Sequence, residues 1–418
     1  MASLNILLIN HYAGSLRHGM EYRPYYLARE WVRQGHHVRI VASSRSHIRA
    51  TEPPMDGRDR LDETIDGIAY TWFATPPYRG NGLARVRNMA AFVWRLLRER
   101  RQLVAELRPD LVIASSTYPL DIWPAFFIAR LAQARLAFEV HDLWPLSPME
   151  LGGFSRWHPF MLLLQAAENF ACRRADVVVS ILPKVRAHLE AHGMAPHKLH
   201  IVPNGTDPAE WIRPKAALPP DLDQALAALR AKGSFIVGYA GTHGVANALG
   251  TLLEAAQLLR SQPVDIVLVG TGPDKDALQR QAARLGLHKL HFFAPVAKHQ
   301  VPALLERFDL AYIGWRREPL YRFGIAPNKL IDYMMAGRPI LHAVEAGNDP
   351  VAEAGCGLTV APESPQAVAD GVLALRALPP ARRAALGRRG RAFALANHTY
   401  PVLGQRFLSA CAGGSDHG

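Results

Sequence analysis

Phe235-Ile-Val-Gly-Tyr-Ala-Gly-Thr-His-Gly244 is an apolar strand pattern that ends in a glycine-rich turn and precedes a helical pattern. A strand, a tight turn and a helix in this order are the repeating unit of a parallel sheet. Glycine lets the backbone approach a phosphate closely, and the N–H groups at the start of a helix attract anions. We therefore predict that Gly241, Thr242, His243 and Gly244 bind a phosphate, although the segment lacks the GxGxxG dinucleotide pattern. The alternative is a turn without a ligand.

A second strand runs into a glycine turn at Leu268-Val-Gly-Thr-Gly-Pro-Asp274. We predict that Gly270, Thr271 and Gly272 line a nucleotide site. The alternative is an ordinary turn between a strand and a helix, with Asp274 as the helix cap.

The third motif is Arg322-Phe-Gly-Ile-Ala-Pro-Asn-Lys-Leu-Ile-Asp-Tyr-Met-Met-Ala-Gly-Arg-Pro339. Its proline at 327 predicts a helix start, and Lys329 and Asp332 are three residues apart, near one helical face. A carboxylate there can accept both hydroxyl groups of a ribose, and a lysine can neutralise a pyrophosphate. The alternative is a solvated Lys–Asp pair at a helix end.

Apolar runs alternate with helical patterns along the whole chain, which indicates parallel α/β sheets. The pattern restarts after a segment rich in proline and alanine, so the prediction is two domains rather than one. We predict a first domain at 1–206, a linker at 207–233, a second domain at 234–393 and a C-terminal helix at 394–411 that crosses back to the first domain. Ile68–Phe73 is predicted as a strand reached through the loop Thr51–Asp66.

The composition fits a globular chain of two domains. The 418 residues are 49% hydrophobic and 20% charged, and the three cysteines have no metal-binding or disulfide spacing. No apolar run reaches the roughly 18 residues of a membrane-spanning helix, and Leu4–Asn10 lacks the flanks of a signal peptide. We expect a cytoplasmic protein. The net charge of +12 favours an anionic partner, but no basic-aromatic motif indicates nucleic acid.

Two further segments of the first domain carry polar residues at predicted strand ends. His141 and Asp142 end the strand within Phe138-Glu-Val-His-Asp-Leu-Trp-Pro145, and such residues point to the ligand-binding edge of a doubly wound sheet. A histidine with a purely structural role is the alternative. The turn Pro203-Asn-Gly-Thr-Asp207 is predicted to be a hinge.

These motifs together resemble family-four retaining glycosyltransferases, in particular bacterial enzymes of O-antigen, capsule or exopolysaccharide synthesis that are often described as amino-sugar transferases. The resemblance is carried in order by five stretches: Asp142–Pro145, Pro203–Asp207, Gly241–Gly244, Leu268–Pro273 and Pro327–Pro339. It implies the GT-B fold, an α/β fold with two Rossmann-like doubly wound domains facing a central cleft. It also implies transfer from a nucleotide-sugar, with a preference for UDP, to a glycan or polyprenyl-linked acceptor with retention of configuration.

The resemblance also implies a role for each candidate residue. His141 is expected to be catalytic, at the anomeric carbon of the donor sugar. The donor diphosphate is expected to bind to Gly241, Thr242, His243, Gly244 and Lys329, and the nucleotide to Gly270, Thr271, Gly272 and Asp332. The donor sugar is expected to contact Gly324, Ile325, Ala326, Pro327 and Asn328. The loop on the acceptor side is expected to contain Gly14, His18 and Gly19. We expect no metal ion and no cofactor besides the nucleotide-sugar co-substrate.

The chain departs from the family pattern at two places. Gly324 stands where the first of two glutamates is common, and Val245–Leu249 contains neither the arginine nor the lysine that often follows the first glycine loop. Lys329, Arg316 or Arg317 must then supply the positive charge. Two alternatives stay open, a non-hydrolysing sugar-nucleotide epimerase of the same fold and a non-catalytic sugar-nucleotide-binding or scaffold protein.

The segment Arg79–Arg108 contains eight arginines interleaved with apolar residues and two glutamates. A basic amphipathic helix with an aromatic residue suits anionic lipid headgroups, so we predict peripheral association with the inner face of the cytoplasmic membrane. The alternative is a helix that covers the sheet with its apolar face and leaves its arginines in water.

Overall fold

The computed structural model describes residues 3–19, 22–80, 82–212 and 216–413. It consists of two compact units. The first unit contains the chain up to Asn204 and again from Tyr400, and the second unit is Gly205–Thr399.

The first unit is an eight-stranded sheet in the order β3-β4-β2-β1-β5-β6-β7-β8, in which only the β3–β4 pair is antiparallel. Its strands are β1 (Asn5–Ile9), β2 (His37–Ser43), β3 (Arg60–Ile65), β4 (Ile68–Phe73), β5 (Leu111–Ala114), β6 (Arg135–Val140), β7 (Val177–Ser180) and β8 (Leu199–Ile201). Its α-helices before residue 204 are α1 (Tyr22–Arg33), α2 (Leu83–Leu107), α3 (Ile122–Ala132), α4 (Leu146–Glu150), α5 (Pro159–Arg174) and α6 (Arg186–Ala191).

The second unit is a six-stranded parallel sheet in the order β11-β10-β9-β12-β13-β14. Its strands are β9 (Phe235–Ala240), β10 (Val264–Val269), β11 (Leu290–Phe293), β12 (Leu310–Gly314), β13 (Ile340–Ala343) and β14 (Gly357–Thr359). Its α-helices are α7 (Ala209–Ile212), α8 (Pro220–Ala231), α9 (Leu249–Leu258), α10 (Lys275–Arg284), α11 (Val301–Leu305), α12 (Asn328–Met335), α13 (Pro350–Ala354), α14 (Pro365–Ala377) and α15 (Pro380–Asn397).

Helices cover both faces of each sheet, so the inner strands are buried apolar runs. Every residue of β10 is buried, for example, as expected for parallel strands between two helical layers. Strand order reverses direction between β1 and β5 in the first unit and between β9 and β12 in the second. Ligands of doubly wound sheets bind at the carboxyl ends of the strands beside such a switch point.

The predicted loop Thr51–Asp66 is partly wrong, because its second half is strand β3. β3 pairs antiparallel with β4 through a turn at Asp66 and Gly67, which have φ values of 50° and 81°. An Asp-Gly pair with two positive φ values is typical of a tight hairpin. The polar strand lies at the sheet edge, and its lack of a buried apolar run hid it from the sequence pattern.

The segment 207–233, predicted as a linker, contains helix α8. Leu222, Leu226 and Leu229 of this helix are buried in the core of the second unit. The C-terminal residues 394–411, predicted as one helix, are divided between the end of α15 and a separate helix α16 (Tyr400–Ala412). α16 packs on α1, where the indole of Trp31 donates to the carbonyl of Gly404 at 3.1 Å.

Helix α2 lies within the segment Arg79–Arg108, as predicted, and one of its sides is apolar and buried. Met89, Phe92, Leu96 and Leu103 are buried, so this side of the helix packs into the first unit. Among the described residues, no helix has the length and hydropathy needed to cross a membrane.

Candidate functional site

The glycine loop 241–244 begins at the carboxyl end of β9, beside the switch point of the second sheet. The N–H of Gly241 donates to the carbonyl of Val269 at 3.0 Å, and the N–H of His243 donates to the carbonyl of Thr271 at 2.8 Å. These two groups are therefore already occupied by the neighbouring strand and turn. Of the four residues predicted to bind the diphosphate, Thr242 and Gly244 therefore remain as candidates for backbone donors.

Gly270 and Gly272 pack directly against the backbone of this loop. A Cβ atom at Gly270 would lie 1.9 Å from the carbonyl oxygen of Gly241, and one at Gly272 would lie 2.3 Å from that of His243. Their φ values of 154° and 158° also disfavour other residues. The structure thus explains these glycines by the contact between two loops, and Thr271 supplies the acceptor for that contact.

His243 is turned into the protein. Its side chain is fully buried, and neither ring nitrogen has a hydrogen-bond partner in the described part of the chain. Burial lowers the pKa of His243 to about 4, helped by the charges of Lys275 and Lys329. The imidazole is therefore neutral near pH 7, and only the main chain of His243 belongs to the loop surface.

Lys329, in the first turn of α12, lies against the loop. Its ammonium group donates to the hydroxyl of Tyr239 at 2.8 Å and to Oδ1 of Asn247 at 3.1 Å. Tyr239 and Asn247 both donate in turn to the carbonyl of Thr242. Burial lowers the pKa of Lys329 to about 7. An anion at this position would restore the charged form, because a nearby opposite charge favours ionisation.

Tyr333 fixes α12 against β9. Its hydroxyl accepts from the N–H of Ala240 at 3.0 Å, one turn further along the helix from Lys329. Asp332, between them in sequence, has its pKa raised to about 7 by burial, while Lys298 and Glu210 act on it in opposite directions. The structure therefore brings Lys329 and Tyr333 of α12 to the end of β9 where the loop 241–244 begins, with Asp332 on the same helix.

The segment 324–328 is held by Asn348, which sequence reasoning missed. Asn348 accepts from the N–H of Ile325 at 2.7 Å and donates to the carbonyl of Ile325 at 3.1 Å. Gly324 has a φ of 90° and a ψ of 173°, a conformation open mainly to glycine. This backbone geometry gives a physical reason for the absence of the glutamate common in the family. Pro327 then caps α12, and Asn328 is its first residue.

Two arginines follow β12. The N–H of Arg316 donates to the carbonyl of Ala246, beside the glycine loop, at 3.1 Å. The guanidinium of Arg317 instead pairs with Glu345 at 3.1 Å. Arg316 is exposed and has no ion pair within the described residues, so it is the better candidate for a second positive charge at the loop.

In the first unit, His141 follows the carboxyl end of β6 and belongs to a buried polar cluster. Its Nε2 lies 3.0 Å from Oγ of Ser115 and 3.2 Å from Oε2 of Glu139. Glu139 also forms an ion pair with Arg23 at 2.8 Å. Burial opposes the ionisation of Glu139, but Arg23 and His141 outweigh it and hold its pKa well below the usual range. Glu139 therefore orients His141 as a carboxylate, a role that the sequence pattern did not reveal.

Asp142 and Asp121 lie close to this histidine in different ways. Asp142 accepts from the N–H of Leu143 and from Oγ of Ser147, so it caps the short segment that leads to α4. Asp121 is fully buried, accepts from the N–H of Ser116, and has its pKa raised to about 7 by burial. Asp142 is thus structural, and Asp121 is a second buried carboxyl beside the cluster.

The predicted acceptor-side residues Gly14, His18 and Gly19 lie within the packing of the first unit. The carbonyl of Gly14 accepts from the hydroxyl of Tyr70, and His18 is buried against Trp72 with its Nδ1 2.9 Å from Oγ of Ser15. Gly19 has a φ of 72° in the turn. Apolar burial and a local hydrogen bond therefore hold the His18 side chain inside the first unit.

Two Asp-x-Asp sequences occur in the second unit, both at helix starts. Asp221 and Asp223 lie in the first turn of α8, where Asp223 pairs with Arg307. Asp274 precedes α10, and Asp276 lies in its first turn. Carboxylates are common in such positions because they interact favourably with the helix dipole, so these pairs have a structural explanation.

Two stretches of the chain match known protein families. Residues 18–205 match the glycosyl transferase 4-like domain, and residues 234–377 match the glycosyl transferases group 1 family. The chain is 24% identical over 383 residues to the putative colanic acid biosynthesis glycosyl transferase WcaI of Escherichia coli K12, covering 84% of this chain and 87% of WcaI.

Solved glycosyltransferase structures share the fold. Anabaena HepE in complex with UDP-glucose superposes with a TM-score of 0.66 at 16% identity, covering 98% of this chain and 99% of HepE. WaaG, a glycosyltransferase involved in lipopolysaccharide biosynthesis, gives a TM-score of 0.64 at 16% identity, covering 98% of this chain and all of WaaG. The two matched domains, in this order and with these structural neighbours, assign the chain to the GT-B glycosyltransferases, as a member with a glycosyl transferase 4-like domain followed by a group 1 domain.

Proposed function

We propose that this glycosyltransferase transfers a sugar from a UDP-linked donor to a glycan or polyprenyl-linked acceptor, with retention of configuration, in the synthesis of a surface polysaccharide. The observation that carries the proposal is the placement of Lys329 beside the loop 241–244, on the helix that also carries Asp332. A cation, N–H groups that the described part of the protein leaves unbonded and a carboxylate are the groups that suit the diphosphate and ribose of a nucleotide. The UDP complexes of HepE support UDP as the nucleotide.

In the proposed reaction the diphosphate binds to the N–H groups of Thr242 and Gly244, to Lys329 and to Arg316. Departure of a nucleoside diphosphate concentrates negative charge on its phosphates, and preorganised donors and cations stabilise that charge. Asp332 holds the ribose hydroxyls, and the segment 324–328 contacts the sugar. Because the N–H groups of Gly241 and His243 are already bonded, the loop keeps its shape when the donor leaves.

His141 is proposed to contact the donor sugar near the anomeric carbon. Glu139 and Ser115 orient its ring through contacts at Nε2. The acceptor attacks from the face that the diphosphate leaves, and the departing phosphate takes the acceptor proton. Retention of configuration follows from this front-face attack. No metal ion is invoked, since Lys329 and Arg316 provide the positive charge.

A role in surface polysaccharide synthesis is supported by the relatives. WcaI is named for colanic acid biosynthesis and WaaG for lipopolysaccharide biosynthesis. A lipid-linked acceptor lies in the plane of a membrane, and we propose that this enzyme works on the anionic inner surface of the cytoplasmic membrane.

The exposed side of α2 supports that location. Trp94 is 53% exposed, and the guanidinium groups of Arg95 and Arg98 lie over its ring. Arg87 and Arg101 are exposed along the same side of the helix. A second exposed aromatic segment follows α4, with Trp157 69% exposed. Basic residues and indole rings are the groups that favour anionic headgroups.

The proposed function is tested in two steps on the full-length protein. Thermal-shift screening of a nucleotide-sugar panel identifies the donor, because a ligand of the native state raises the unfolding temperature. NMR spectroscopy then follows the product formed with a short synthetic polyprenyl-diphosphate sugar. Transfer with the donor's anomeric configuration is the expected result. Inversion of that configuration, conversion of the donor to its epimer, or binding without any turnover would each contradict the proposal.

A further inference from the structure

Helices α5 and α6 of the first unit bring one carboxylate and two imidazoles together. Glu168 lies on α5, His188 lies on α6, and His192 directly follows α6. Oε1 of Glu168 is 3.0 Å from Nε2 of His188, and Oε2 is 3.9 Å from Nε2 of His192. One ligand atom from each residue lies within 4.8 Å of the others, and no other such group of three or more occurs among the described residues.

The carbonyl of His188, at the end of α6, determines the tautomer of the neutral His192 ring. Its Nδ1 lies 2.7 Å from the carbonyl oxygen of His188, which is a hydrogen-bond acceptor, so Nδ1 carries the proton. In the neutral ring Nε2 then has a lone pair. That lone pair faces the carboxylate of Glu168, another acceptor. A cation between these two acceptors would remove the repulsion between their lone pairs. A histidine that binds a metal through one ring nitrogen usually donates the N–H of the other to an acceptor, as His192 does to the carbonyl of His188.

A hydrogen bond from Gln165 also orients the carboxylate of Glu168. Nε2 of Gln165 donates to its Oε2 at 2.8 Å. The Glu168 side chain is only 4% exposed, whereas that of His192 is 22% exposed. The cluster therefore has an oriented, buried oxygen ligand and an open side where water can complete a coordination shell.

We propose that Glu168, His188 and His192 bind a divalent first-row transition-metal ion, with Zn²⁺ as the best match. Zinc–ligand bonds of about 2.0–2.1 Å in a tetrahedron place ligand atoms about 3.3 Å apart. The observed separations of 3.0 and 3.9 Å lie on either side of that value. Two imidazoles and one carboxylate suit zinc, whereas magnesium and calcium prefer oxygen ligands. The ion fastens α6 to α5 and takes no part in the donor chemistry of the second unit.

The test uses the full chain, purified without a histidine tag and stripped with EDTA. Titration with Co²⁺ is followed by visible absorption, and Zn²⁺ affinity is measured by competition with a chromophoric chelator. We expect one ion per chain, visible bands of a four- or five-coordinate cobalt site, and no competition from Mg²⁺. The variants His192→Gln and Glu168→Gln should each weaken Zn²⁺ binding by about tenfold or more.

His197→Gln is the matched control, because His197 is an exposed histidine five residues after His192. This variant should bind Zn²⁺ like the parent. Circular dichroism and thermal unfolding in EDTA check that every variant is folded. The proposal is overturned if the parent shows no cobalt bands, or if folded His192→Gln and Glu168→Gln bind Zn²⁺ as tightly as the parent.

Discussion

The ammonium nitrogen of Lys329 lies 2.8 Å from the phenolic oxygen of Tyr239 and 4.2 Å from the centre of its ring. Within the described part of the chain, no carboxylate forms an ion pair with Lys329. The cation is therefore kept partly desolvated against a neutral partner, at the strand end where the glycine loop begins. An anion binds more strongly to such a cation than to a fully solvated one, because desolvation strengthens the attraction between opposite charges.

The first prediction concerns the pH dependence of donor binding. Lys329 and Asp332 both have a pKa of about 7 in the free protein. Charged Lys329 attracts the diphosphate, so affinity falls as the pH rises above 7. Ionised Asp332 accepts the ribose hydroxyls, so affinity falls as the pH drops below 7. Calorimetry with the donor from pH 5.5 to 9 should show a maximum near pH 7. Lys329→Met should weaken binding and abolish the alkaline decline; if the decline persists, another group causes it.

The second prediction concerns the ribose. Asp332→Asn removes the charged acceptor and should weaken donor binding by about 1.5–3 kcal/mol, the value of a hydrogen bond to a charged group. It should also remove the acidic decline in affinity. The same calorimetric titration measures both effects. Unchanged affinity would mean that Asp332 serves only the start of helix α12.

The third prediction concerns the close packing of Gly272 against the loop 241–244. Gly272→Ala places a Cβ 2.3 Å from the carbonyl oxygen of His243 at a φ of 158°. We expect a loss of stability of about 1–3 kcal/mol and weaker donor binding, since strain of this kind displaces the loop. Chemical denaturation and donor titration measure the two effects. Gly250→Ala is the control, because it lies in α9 with no atom closer than 3.9 Å and should not lower stability. Equal stability and donor affinity of the two variants would contradict a role of Gly272 in positioning the loop 241–244.

The fourth prediction concerns chemistry. His141→Ala should lower kcat on the order of tenfold or more, with little change in donor affinity, since the residues proposed to bind the nucleotide lie in the second unit. Glu139→Gln should lower kcat less, because it keeps a side chain that can contact His141 while it removes the charge that Glu139 shares between His141 and Arg23. Steady-state kinetics with fixed acceptor separates kcat from KM. A parental kcat for His141→Ala would show that this histidine is structural.

The fifth prediction concerns the membrane surface. Arg98→Glu with Arg101→Glu should reduce co-sedimentation with anionic vesicles at low salt, because each basic residue near the surface contributes about 1 kcal/mol. The matched control is Arg280→Glu with Arg284→Glu, which makes the same charge change on the exposed side of α10. Binding of the parent should weaken with salt and be absent with neutral vesicles. Parent protein that stays in the supernatant with anionic vesicles would refute membrane association.

The sequence by itself determined the class of the fold and the order of its parts. Apolar runs that end in glycine turns and precede amphipathic helices specify parallel α/β units, because each signal lies within about ten residues. The presence of a helix within Arg79–Arg108 and the start of α12 directly after Pro327 were predictable for the same reason. The resemblance of five motifs to one glycosyltransferase family was likewise readable along the chain, and the domain matches confirm it.

Only the tertiary structure decided which atoms of those motifs are available. The N–H groups of Gly241 and His243 are consumed by a turn about 30 residues later in the sequence, and His18 is buried against Trp72. Glu139 meets Arg23 across 116 residues of chain. No local pattern encodes such pairings, because hydrogen bonds and burial depend on which strand ends the folded sheet places side by side.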